Sequence, residues 1–339
     1  MFATLLEKLQ RREDLTVDEA SGAMAEIMDG RAQPAHIAAF LVGLAMKGER
    51  PAEIVGLARV MRSRAAALPR TVAGTFDTCG TGGDGAGTFN VSTAAALAVA
   101  ACGVPVAKHG NRSASSRCGS ADVFEALGVK IDASPENAAR CLEEAGLAFL
   151  FAPAFHPSMR HAGPTRRELG IRTAFNLLGP LTNPAGAARQ LVGVPRPELT
   201  ELVARARGLL GTERAWVVHG ADGLDELSTT GYSKVSEYRD GAVHTFYVHP
   251  SEAGVAKAAP ADLLGGDAAG NAGIIRDLLD GRPGPARDIV LYNAGASLLV
   301  AGRAGTIAEG VATAGKAVDS GRARGVLERL IAVSNEAAA

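Results

Sequence analysis

A glycine-rich segment at residues 77–88 is the first stretch of the sequence whose composition suggests chemistry. It has the sequence DTCGTGGDGAGT, and the following FNVST leads into a predicted helix. Glycines allow backbone amides to face a ligand without side-chain obstruction, and a helix N-terminus adds unpaired N–H groups that favour anions. The segment therefore predicts a phosphate or diphosphate site, although a flexible turn explains it equally well when it is considered alone.

The same glycines fit two familiar nucleotide-binding loops only in part. Gly80, Gly82 and Gly85 satisfy the G-x-G-x-x-G pattern of dinucleotide-binding folds, but residues 101–108, about 20 positions further on, supply no acid for a ribose. A Walker loop is excluded because Thr88 occupies the position at which lysine is required. These comparisons favour an anion site of another kind.

A second cluster, KHGNRSASS at residues 108–116, also lies between a predicted strand and a predicted helix. It concentrates cations, hydroxyl groups and helix-start amides in a chain that has no overall positive charge. For any one of these residues, a solvated loop capped by serine is the simpler interpretation. Their density instead favours a second anion site, and two anion sites suit a ligand with phosphate at both ends.

An acidic motif, Asp222-Gly223-Leu224-Asp225-Glu226, follows a predicted strand that ends at His219. Carboxylates at the end of a parallel strand are well placed to hold Mg²⁺, which prefers oxygen ligands and shares its shell with water and substrate phosphates. An exposed acidic turn is the ordinary alternative. The metal interpretation becomes preferable beside two anion sites, since a departing diphosphate needs a divalent counter-charge.

Arg166 lies in a long segment, residues 155–184, that is rich in proline, glycine and arginine. An arginine can bind a carboxylate through two parallel hydrogen bonds, so Arg166 is a candidate for selecting an acidic acceptor. A surface ion pair is the usual alternative for arginine. His156 and His161 could titrate near neutral pH, but a lone histidine is more often structural than catalytic.

The elements that must position these motifs divide the sequence into two parts. Residues 1–70 are predicted to be helical only: Thr16 and Glu19 form a capping box, and Pro34 and Pro51 stand at helix starts. After residue 70, short strands alternate with helices, which predicts a largely parallel sheet covered by helices. We therefore expect an α/β fold class, with a small helical domain preceding a larger α/β domain.

The predicted elements of the second part can be placed individually. Residues 234–250 are expected to form an antiparallel hairpin around Asp240-Gly241. Predicted strands are 75–79, 104–108, 148–152, 190–194, 214–219 and 289–292, and predicted helices include 93–102, 115–127, 135–145 and 197–210.

Composition limits the possible functions. The 339 residues suffice for about two domains. The net charge of -1 provides no global field that would attract nucleic acid or a membrane. The four cysteines show no zinc-ligand or disulfide spacing, and residues 1–15 lack the pattern of a signal peptide. We expect a cytoplasmic protein with reduced thiols that binds small molecules and neither nucleic acid nor a membrane.

The combination of motifs resembles the anthranilate phosphoribosyltransferase family. The matching segments are GTGGD at residues 80–84, NVST at 90–93, KHGNR at 108–112 and Asp225-Glu226, and the resemblance extends to at least residue 330. It implies a transferase that uses 5-phosphoribosyl 1-diphosphate, anthranilate and two Mg²⁺ ions in tryptophan biosynthesis. It also implies a homodimer with a nucleoside phosphorylase-like architecture, in which residues 1–70, completed by a returning segment near 165–190, form the helical domain and residues 71–339 the α/β domain.

The resemblance also assigns ligands to individual residues. The metal ligands would be Ser92 and Glu226 for one ion and Asp225 and Glu226 for the second, and the anthranilate contacts would be Gly80, Asn111 and Arg166. The contacts to 5-phosphoribosyl 1-diphosphate would be Gly80, Gly83, Asp84, Thr88, Asn90, Val91, Ser92, Thr93, Lys108, His109, Gly110, Asn111, Arg112, Ser113, Ala114, Ser115, Ser116 and Ser120. No motif nominates a general base, so no proton-transfer residue is assigned.

Two other functions are compatible with parts of the pattern. A pyrimidine nucleoside phosphorylase shares the expected architecture and also cleaves at an anomeric carbon. Members of that class, however, are expected to have longer chains with an extra C-terminal domain. A protein that uses this fold to bind nucleic acid would benefit from a basic surface and would not need the pair Asp225 and Glu226.

Overall fold

The N-terminal part of the chain is a bundle of four helices. The computed structural model describes residues 1–113 and 117–336. Thr16 Oγ1 accepts a hydrogen bond from Glu19 N at 3.2 Å, and Glu19 Oε2 accepts one from Thr16 N at 2.9 Å, so the predicted capping box is confirmed. Pro34 and Pro51 occupy the predicted first-turn positions. The four helices are α1 (Phe2–Gln10), α2 (Val17–Met28), α3 (Pro34–Lys47) and α4 (Pro51–Ser63).

The rest of the chain is built on one seven-stranded sheet. The strands are β1 (Phe76–Gly80), β2 (Val106–Gly110), β3 (Leu147–Phe151), β4 (Arg189–Gly193), β5 (Arg214–Gly220), β6 (Ser233–Arg239) and β7 (Ala242–Val248). Their order is β3-β2-β1-β4-β5-β6-β7, with β1 to β5 parallel and the β6–β7 hairpin antiparallel, as the sequence predicts. The strand order reverses between β1 and β4, and in open α/β sheets ligands bind near such a reversal, at the carboxyl ends of the strands.

Helices cover the sheet and also form the long crossing between β3 and β4. Helices α5 (Val91–Ala100), α6 (Ser120–Leu127), α7 (Pro135–Ala145), α8 (Ala152–Phe155), α9 (Gly163–Leu169) and α10 (Phe175–Leu178) precede β4. Helices α11 (Leu199–Leu209), α12 (Ala268–Leu279), α13 (Pro285–Val300), α14 (Ile307–Asp319) and α15 (Arg322–Asn335) follow it. Short 3₁₀ turns lie at Pro157–His161, Gly179–Leu181, Pro250–Ala253 and Pro260–Leu263.

One predicted strand was wrong, and some helix boundaries differ from the predicted ones. Residues 289–292 lie inside α13, which is buried on nearly every side, and a short apolar run in such a helix shows no periodicity that separates it from a strand. Helix α5 begins at Val91, two residues earlier than predicted. Helix α6 begins at Ser120, after a stretch that includes residues 114–116, outside the described ranges.

The two faces of the sheet belong to two separate apolar cores. Trp216 and Val218 of β5 pack into one core with α5 and α13, whereas Val217 points into the other with the N-terminal helices and α11. Phe175 and Leu178 of α10 join this second core, so the crossing segment packs on the helical bundle. Within residues 1–113 and 117–336, no helix has both the length and the apolar character needed to cross a membrane.

Candidate active site

A cavity of about 780 Å³ lies at the carboxyl ends of β1 and β2, facing the crossing segment. The sequence-predicted residues that fall within the described ranges all line it: Gly80, Gly83, Asp84, Thr88, Asn90, Val91, Ser92, Thr93, Lys108, His109, Gly110, Asn111, Arg112, Ser113, Ser120, Arg166, Asp225 and Glu226. Ala114, Ser115 and Ser116, also predicted, lie outside the described residues. The structure thus brings motifs from four distant parts of the sequence to one place.

The glycine loop follows β1 and depends on glycine for two physical reasons. Gly82 and Gly83 have φ of 66° and 80°, which side chains rarely tolerate. A Cβ at Gly80 would lie 2.9 Å from Asp225 Cγ, so only glycine admits the Asp225 carboxylate there. Gly82 N donates to Asp225 Oδ2 at 2.8 Å. The glycine loop therefore packs directly against the acidic motif.

The first turn of α5 is tied to the second carboxylate and to a buried cation. Ser92 N donates to Glu226 Oε1 at 3.1 Å, so the helix N-terminus faces a negative charge. Lys108 Nζ donates to Ser92 Oγ at 3.1 Å and to Thr78 O at 2.5 Å. Thr78 Oγ1 in turn donates to Ser92 O at 2.8 Å. These bonds hold the Ser92 hydroxyl beside Lys108, while the backbone N–H of Ser92 is bonded to Glu226.

Asp225 and Glu226 are half-buried in the turn after β5, and a glycine makes room for them. Gly193, at the end of β4, lies so near the turn that a Cβ there would be 3.1 Å from Asp225 Cα and nearer still to the Asp225 carbonyl. Burial raises the pKa of Asp225, with the Asp84 charge adding to it, and burial raises the pKa of Glu226, with the Asp225 charge adding to it. Burial and mutual repulsion disfavour the ionised form of these adjacent carboxylates, and a bound cation would stabilise it.

The oxygen-rich donor set fits magnesium. Asp225, Glu226 and the Ser92 hydroxyl supply the hard oxygen donors that Mg²⁺ prefers. Among the described residues, no group of three or more histidines, cysteines, aspartates and glutamates is placed to hold a metal ion. Asp222, the first acid of the motif, instead forms local hydrogen bonds. Its Oδ2 accepts from Ser228 Oγ and Thr230 Oγ1, each at 2.6 Å.

Beneath the site lies a buried polar network that sequence reasoning missed. Asp77 Oδ2 accepts from Asn183 Nδ2 at 2.8 Å and from Gln190 Nε2 at 2.9 Å. Burial lowers the pKa of Lys108, and the negative charge of Asp77 opposes that effect. The network holds β1, β2 and β4 together under the cavity. Asp77 stands in the glycine segment and Asn183 in the crossing segment, but their pairing depends on strand order, which no local motif encodes.

Two histidines form one wall of the cavity. The rings of His109 and His156 are 5.1 Å apart between centroids, and His109 Nδ1 lies 3.0 Å from Gly179 O. Burial lowers the pKa of each to about 4, so both are neutral at neutral pH. The wall is therefore aromatic and uncharged. The prediction singled out His109 as a phosphate contact, whereas the pairing with His156 was not foreseen.

Arg166 lies on α9 with its guanidinium over an aromatic ring. Its Cζ is 4.8 Å from the centroid of Phe175, a cation–π distance. Burial alone lowers its pKa, with no carboxylate among the described residues contributing. A partly buried guanidinium that borders a cavity and has no carboxylate partner among the described residues is suited to bind a carboxylate ligand.

The basic loop after β2 is partly engaged with α6. Arg112 forms ion pairs with Asp122 and Glu125, each at 2.8 Å. Ser113 N also donates to Asp122 Oδ2 at 3.1 Å, and Ser120 Oγ contacts Asn111 O at 3.4 Å. Arg112 lines the cavity, but its guanidinium is already paired with carboxylates of α6.

Sequence comparisons match the whole architecture. The model for the helical bundle domain of a glycosyl transferase family covers residues 3–65, and the model for the α/β domain of that family covers residues 73–324. The anthranilate phosphoribosyltransferase of Moorella thermoacetica is 55% identical over 332 residues, 98% of each chain. That of Symbiobacterium thermophilum is 54% identical over 96% of each chain.

Solved structures agree with the sequence relatives. The anthranilate phosphoribosyltransferase of Thermus thermophilus superposes with a TM-score of 0.92 at 46% identity, covering 98% of this chain and 99% of that one. The Saccharomyces cerevisiae enzyme in complex with 5-phosphoribosyl 1-diphosphate and Mg superposes with a TM-score of 0.90 at 26% identity, covering 98% and 97%. A further structure of that enzyme, with 4-fluoroanthranilate, has a TM-score of 0.87 at 26% identity and covers 98% of each chain.

Proposed function

The chain belongs to the anthranilate phosphoribosyltransferase family, and we propose that the cavity at the carboxyl ends of β1 and β2 is its active site. The enzyme transfers the 5-phosphoribosyl group from 5-phosphoribosyl 1-diphosphate to the amine of anthranilate, giving N-(5-phosphoribosyl)anthranilate and diphosphate in tryptophan biosynthesis. The observation that supports this site is the meeting of the glycine loop, the α5 N-terminus, the acidic pair and Arg166 around one cavity.

The glycine loop and the loop after β2 are proposed to hold 5-phosphoribosyl 1-diphosphate. Residues of the glycine loop and of the first turn of α5 line the cavity. Backbone N–H groups at a helix start favour an anion, which supports a phosphate position there. The loop after β2 would hold the other phosphate, at the N-terminus of α6. The proposed contacts are those the family resemblance implies, from Gly80 to Thr93, from Lys108 to Ser116, and Ser120.

Ser92, Asp225 and Glu226 are proposed to hold two Mg²⁺ ions together with the diphosphate. Bound Mg²⁺ supplies positive charge that offsets the negative charge growing on the departing diphosphate. The residues of the chain prepare the site for this: Lys108 orients the Ser92 hydroxyl, and Gly82 N and Ser92 N fix one oxygen of each carboxylate.

Gly80, Asn111 and Arg166 are proposed to bind anthranilate. Arg166 would bind the carboxylate and thereby direct the neutral amine toward the anomeric carbon, from the face opposite the diphosphate. Charge stabilisation at the leaving group gives the sugar oxocarbenium character, and the amine is already a nucleophile. Positioning therefore supplies most of the catalysis, and the mechanism assigns no general base.

The organisation of the whole protein is also a proposal. Residues 1–70, completed by a returning segment near 165–190, would form the helical domain, and residues 71–339 the α/β domain. A homodimer is proposed because the family resemblance implies one. The cysteines are free thiols, which agrees with a cytoplasmic location. Light scattering at several protein concentrations tests the dimer; a monomer throughout would refute it.

One assay tests the reaction. We expect purified protein with anthranilate, 5-phosphoribosyl 1-diphosphate and Mg²⁺ to consume anthranilate, measured by the loss of its fluorescence. Well-folded protein without turnover would refute the function. Cleavage of a pyrimidine nucleoside by phosphate would instead identify a phosphorylase, and a mobility shift of nucleic acid would identify a binding protein.

A paired substitution tests the metal site. The double variant Asp225→Asn, Glu226→Gln is expected to abolish turnover while the circular dichroism spectrum stays unchanged. Asp240→Asn, in the exposed hairpin turn between β6 and β7, is the matched control and should retain full activity. Substantial activity in the double variant would remove these two residues from the metal site.

A further inference from the structure

Arg172 reaches the glycine loop from the crossing segment, just after α9. Its Nη2 makes a long contact, 3.5 Å, with Thr81 O. A Cβ at Gly83 would lie 2.7 Å from Arg172 Cζ and nearer still to Nη1. The guanidinium can approach the loop this closely only because residue 83 has no side chain. Two segments distant in sequence therefore fit together at this point.

The charge around Arg172 draws it to the loop without fixing it in an ion pair. Within the described part of the chain, no carboxylate lies within the 4.0 Å that defines an ion pair with its guanidinium. Burial lowers the pKa of Arg172 while the charges of Asp225 and Asp84 oppose that effect, and Arg196 reinforces it. Arg172 also lines the cavity, so its position bears directly on the shape of the site.

Resting on the proposed function, we propose that Arg172 is a positioning residue for 5-phosphoribosyl 1-diphosphate, acting through the glycine loop at Thr81 and Gly83. Gly82, Gly83, Gly85 and Gly87 give this loop unusual backbone freedom, which binding must remove at a cost in entropy. A guanidinium packed on the loop restricts that freedom before the ligand arrives. Arg166 and Arg172 thus divide the work: one faces anthranilate and the other orders the loop.

Steady-state kinetics of Arg172→Ala test this role. We expect the KM for 5-phosphoribosyl 1-diphosphate to rise at least tenfold, with kcat within about threefold and the KM for anthranilate within about twofold of wild type. Arg172→Lys, which keeps charge but not the planar group, should recover only part of the loss. Arg205→Ala, an exposed arginine of α11, is the control and should behave as wild type. A main effect on the KM for anthranilate would overturn the proposal.

A double-mutant cycle with Gly83 separates positioning from a merely structural effect. Gly83→Ala should lower kcat/KM for 5-phosphoribosyl 1-diphosphate by a factor at least tenfold larger in wild type than in the Arg172→Ala background, where the obstructing guanidinium is gone. Backbone strain from the φ of 80° is present in both backgrounds and cancels. Gly85→Ala has comparable strain, with φ of 70° and nothing within 4 Å of its Cβ, and should cost the same in both.

The cycle also distinguishes this inference from the function itself. Calorimetric binding of 5-phosphoribosyl 1-diphosphate with Mg²⁺ repeats the same cycle without turnover. Wild-type protein that binds this ligand but does not consume anthranilate would overturn the function and leave the inference standing. Additive effects of Gly83→Ala and Arg172→Ala on binding would overturn the inference alone. If Arg172→Ala does not fold, Arg172→Lys and Arg172→Gln carry the cycle.

Discussion

Arg166 carries a positive charge into a partly buried position and has an aromatic ring, not an acid, as its neighbour. Its pKa is lowered by burial, which means that the charged form is destabilised when no anion is bound. A carboxylate ligand relieves this cost through a charge-assisted hydrogen bond. The residue is therefore arranged to favour an acidic acceptor over a neutral amine of the same shape.

Arg166→Ala should mainly impair the use of anthranilate. We expect a loss of about 1.5 to 3 kcal/mol, or roughly ten- to 150-fold in kcat/KM for anthranilate, as for a charge-assisted contact. Initial rates at saturating 5-phosphoribosyl 1-diphosphate measure this. Arg59→Ala, an exposed arginine of α4, serves as control. An unchanged KM for anthranilate would show that Arg166 does not bind it.

His109 and His156 should make the stability of the fold sensitive to acid. Each has a pKa of about 4 in the folded protein against 6.5 ordinarily, so the unfolded chain binds protons first as the pH falls. Stability is therefore complete above about pH 6.5 and is lost toward pH 4, at up to about 1.4 kcal/mol per pH unit for each histidine.

Denaturant unfolding at pH values from 7.5 to 4.5 measures this dependence. His156→Gln removes one of the two titrations, so we expect a shallower loss of stability with falling pH whatever its stability at neutral pH. His244→Gln, on the exposed face of β7, should retain the full wild-type slope. Equal slopes in His156→Gln and wild type would rule out this explanation.

At the scale of elements, the end of β4 controls where the acidic pair lies. Gly193 O accepts from Thr81 N at 2.9 Å, so the same residue contacts the glycine loop and the turn after β5. A side chain at Gly193 would collide with the Asp225 backbone and displace it. Such a substitution leaves every residue proposed to contact a ligand chemically unchanged. The geometry of the proposed metal site therefore depends on the close approach of two loops.

Gly193→Ala is expected to reduce turnover by more than tenfold and to raise the Mg²⁺ concentration needed for half-maximal rate, because the Asp225 backbone must move. Rates across a Mg²⁺ titration measure both effects. Gly273→Ala, inside α12 with nothing within 4 Å of its Cβ, is the matched control and should be neutral or slightly stabilising. Full activity in Gly193→Ala would show that the turn tolerates the shift.

Most of the elements that position the site could be predicted, and the exceptions have physical reasons. Strands β1 to β5 lie between helices with turn signals, so their existence followed from the sequence. Residues 289–292 were misassigned because a helix buried all round has the apolar run of a buried strand. The motifs around Gly80, Lys108 and Glu226 could be predicted as members of one site by their combination.

The parts of the site that could not be predicted depend on contacts between distant segments. Lys108 looked like a phosphate contact in a basic loop, but its ammonium bonds to Thr78 O and Ser92 Oγ. Nothing near Gly83 in the sequence announces that Arg172 packs on it. Such contacts require the order of the strands and the path of the crossing segment, which local spacing does not contain.

At the scale of the whole molecule, the cavity takes residues from the sheet and from the crossing segment that packs on the helical bundle. A ligand that binds only the assembled site stabilises the entire fold by mass action, by about 2.7 kcal/mol at 100 times its Kd. Binding should therefore be visible as a change in unfolding temperature.

We expect 5-phosphoribosyl 1-diphosphate with Mg²⁺ to raise the unfolding temperature more than either does alone, because in the proposed site the acidic pair would bind the diphosphate through the metal. Differential scanning fluorimetry measures this. Chelating the Mg²⁺ should reduce the shift, and the double variant Asp225→Asn, Glu226→Gln should show little of it. An equal shift in the presence of chelator would contradict a metal-dependent site.

The apolar core of the helical bundle includes residues that the ribosome makes late. Helices α1 to α4 end at Ser63, but Ala162, Phe175 and Leu178 of the same core emerge only after β1 to β3 have been made. At roughly 5 to 20 residues per second, these roughly 100 residues take about 5 to 20 s to synthesise. Apolar faces of the first helices therefore stay uncovered on the nascent chain for that interval, which makes them natural binding sites for chaperones.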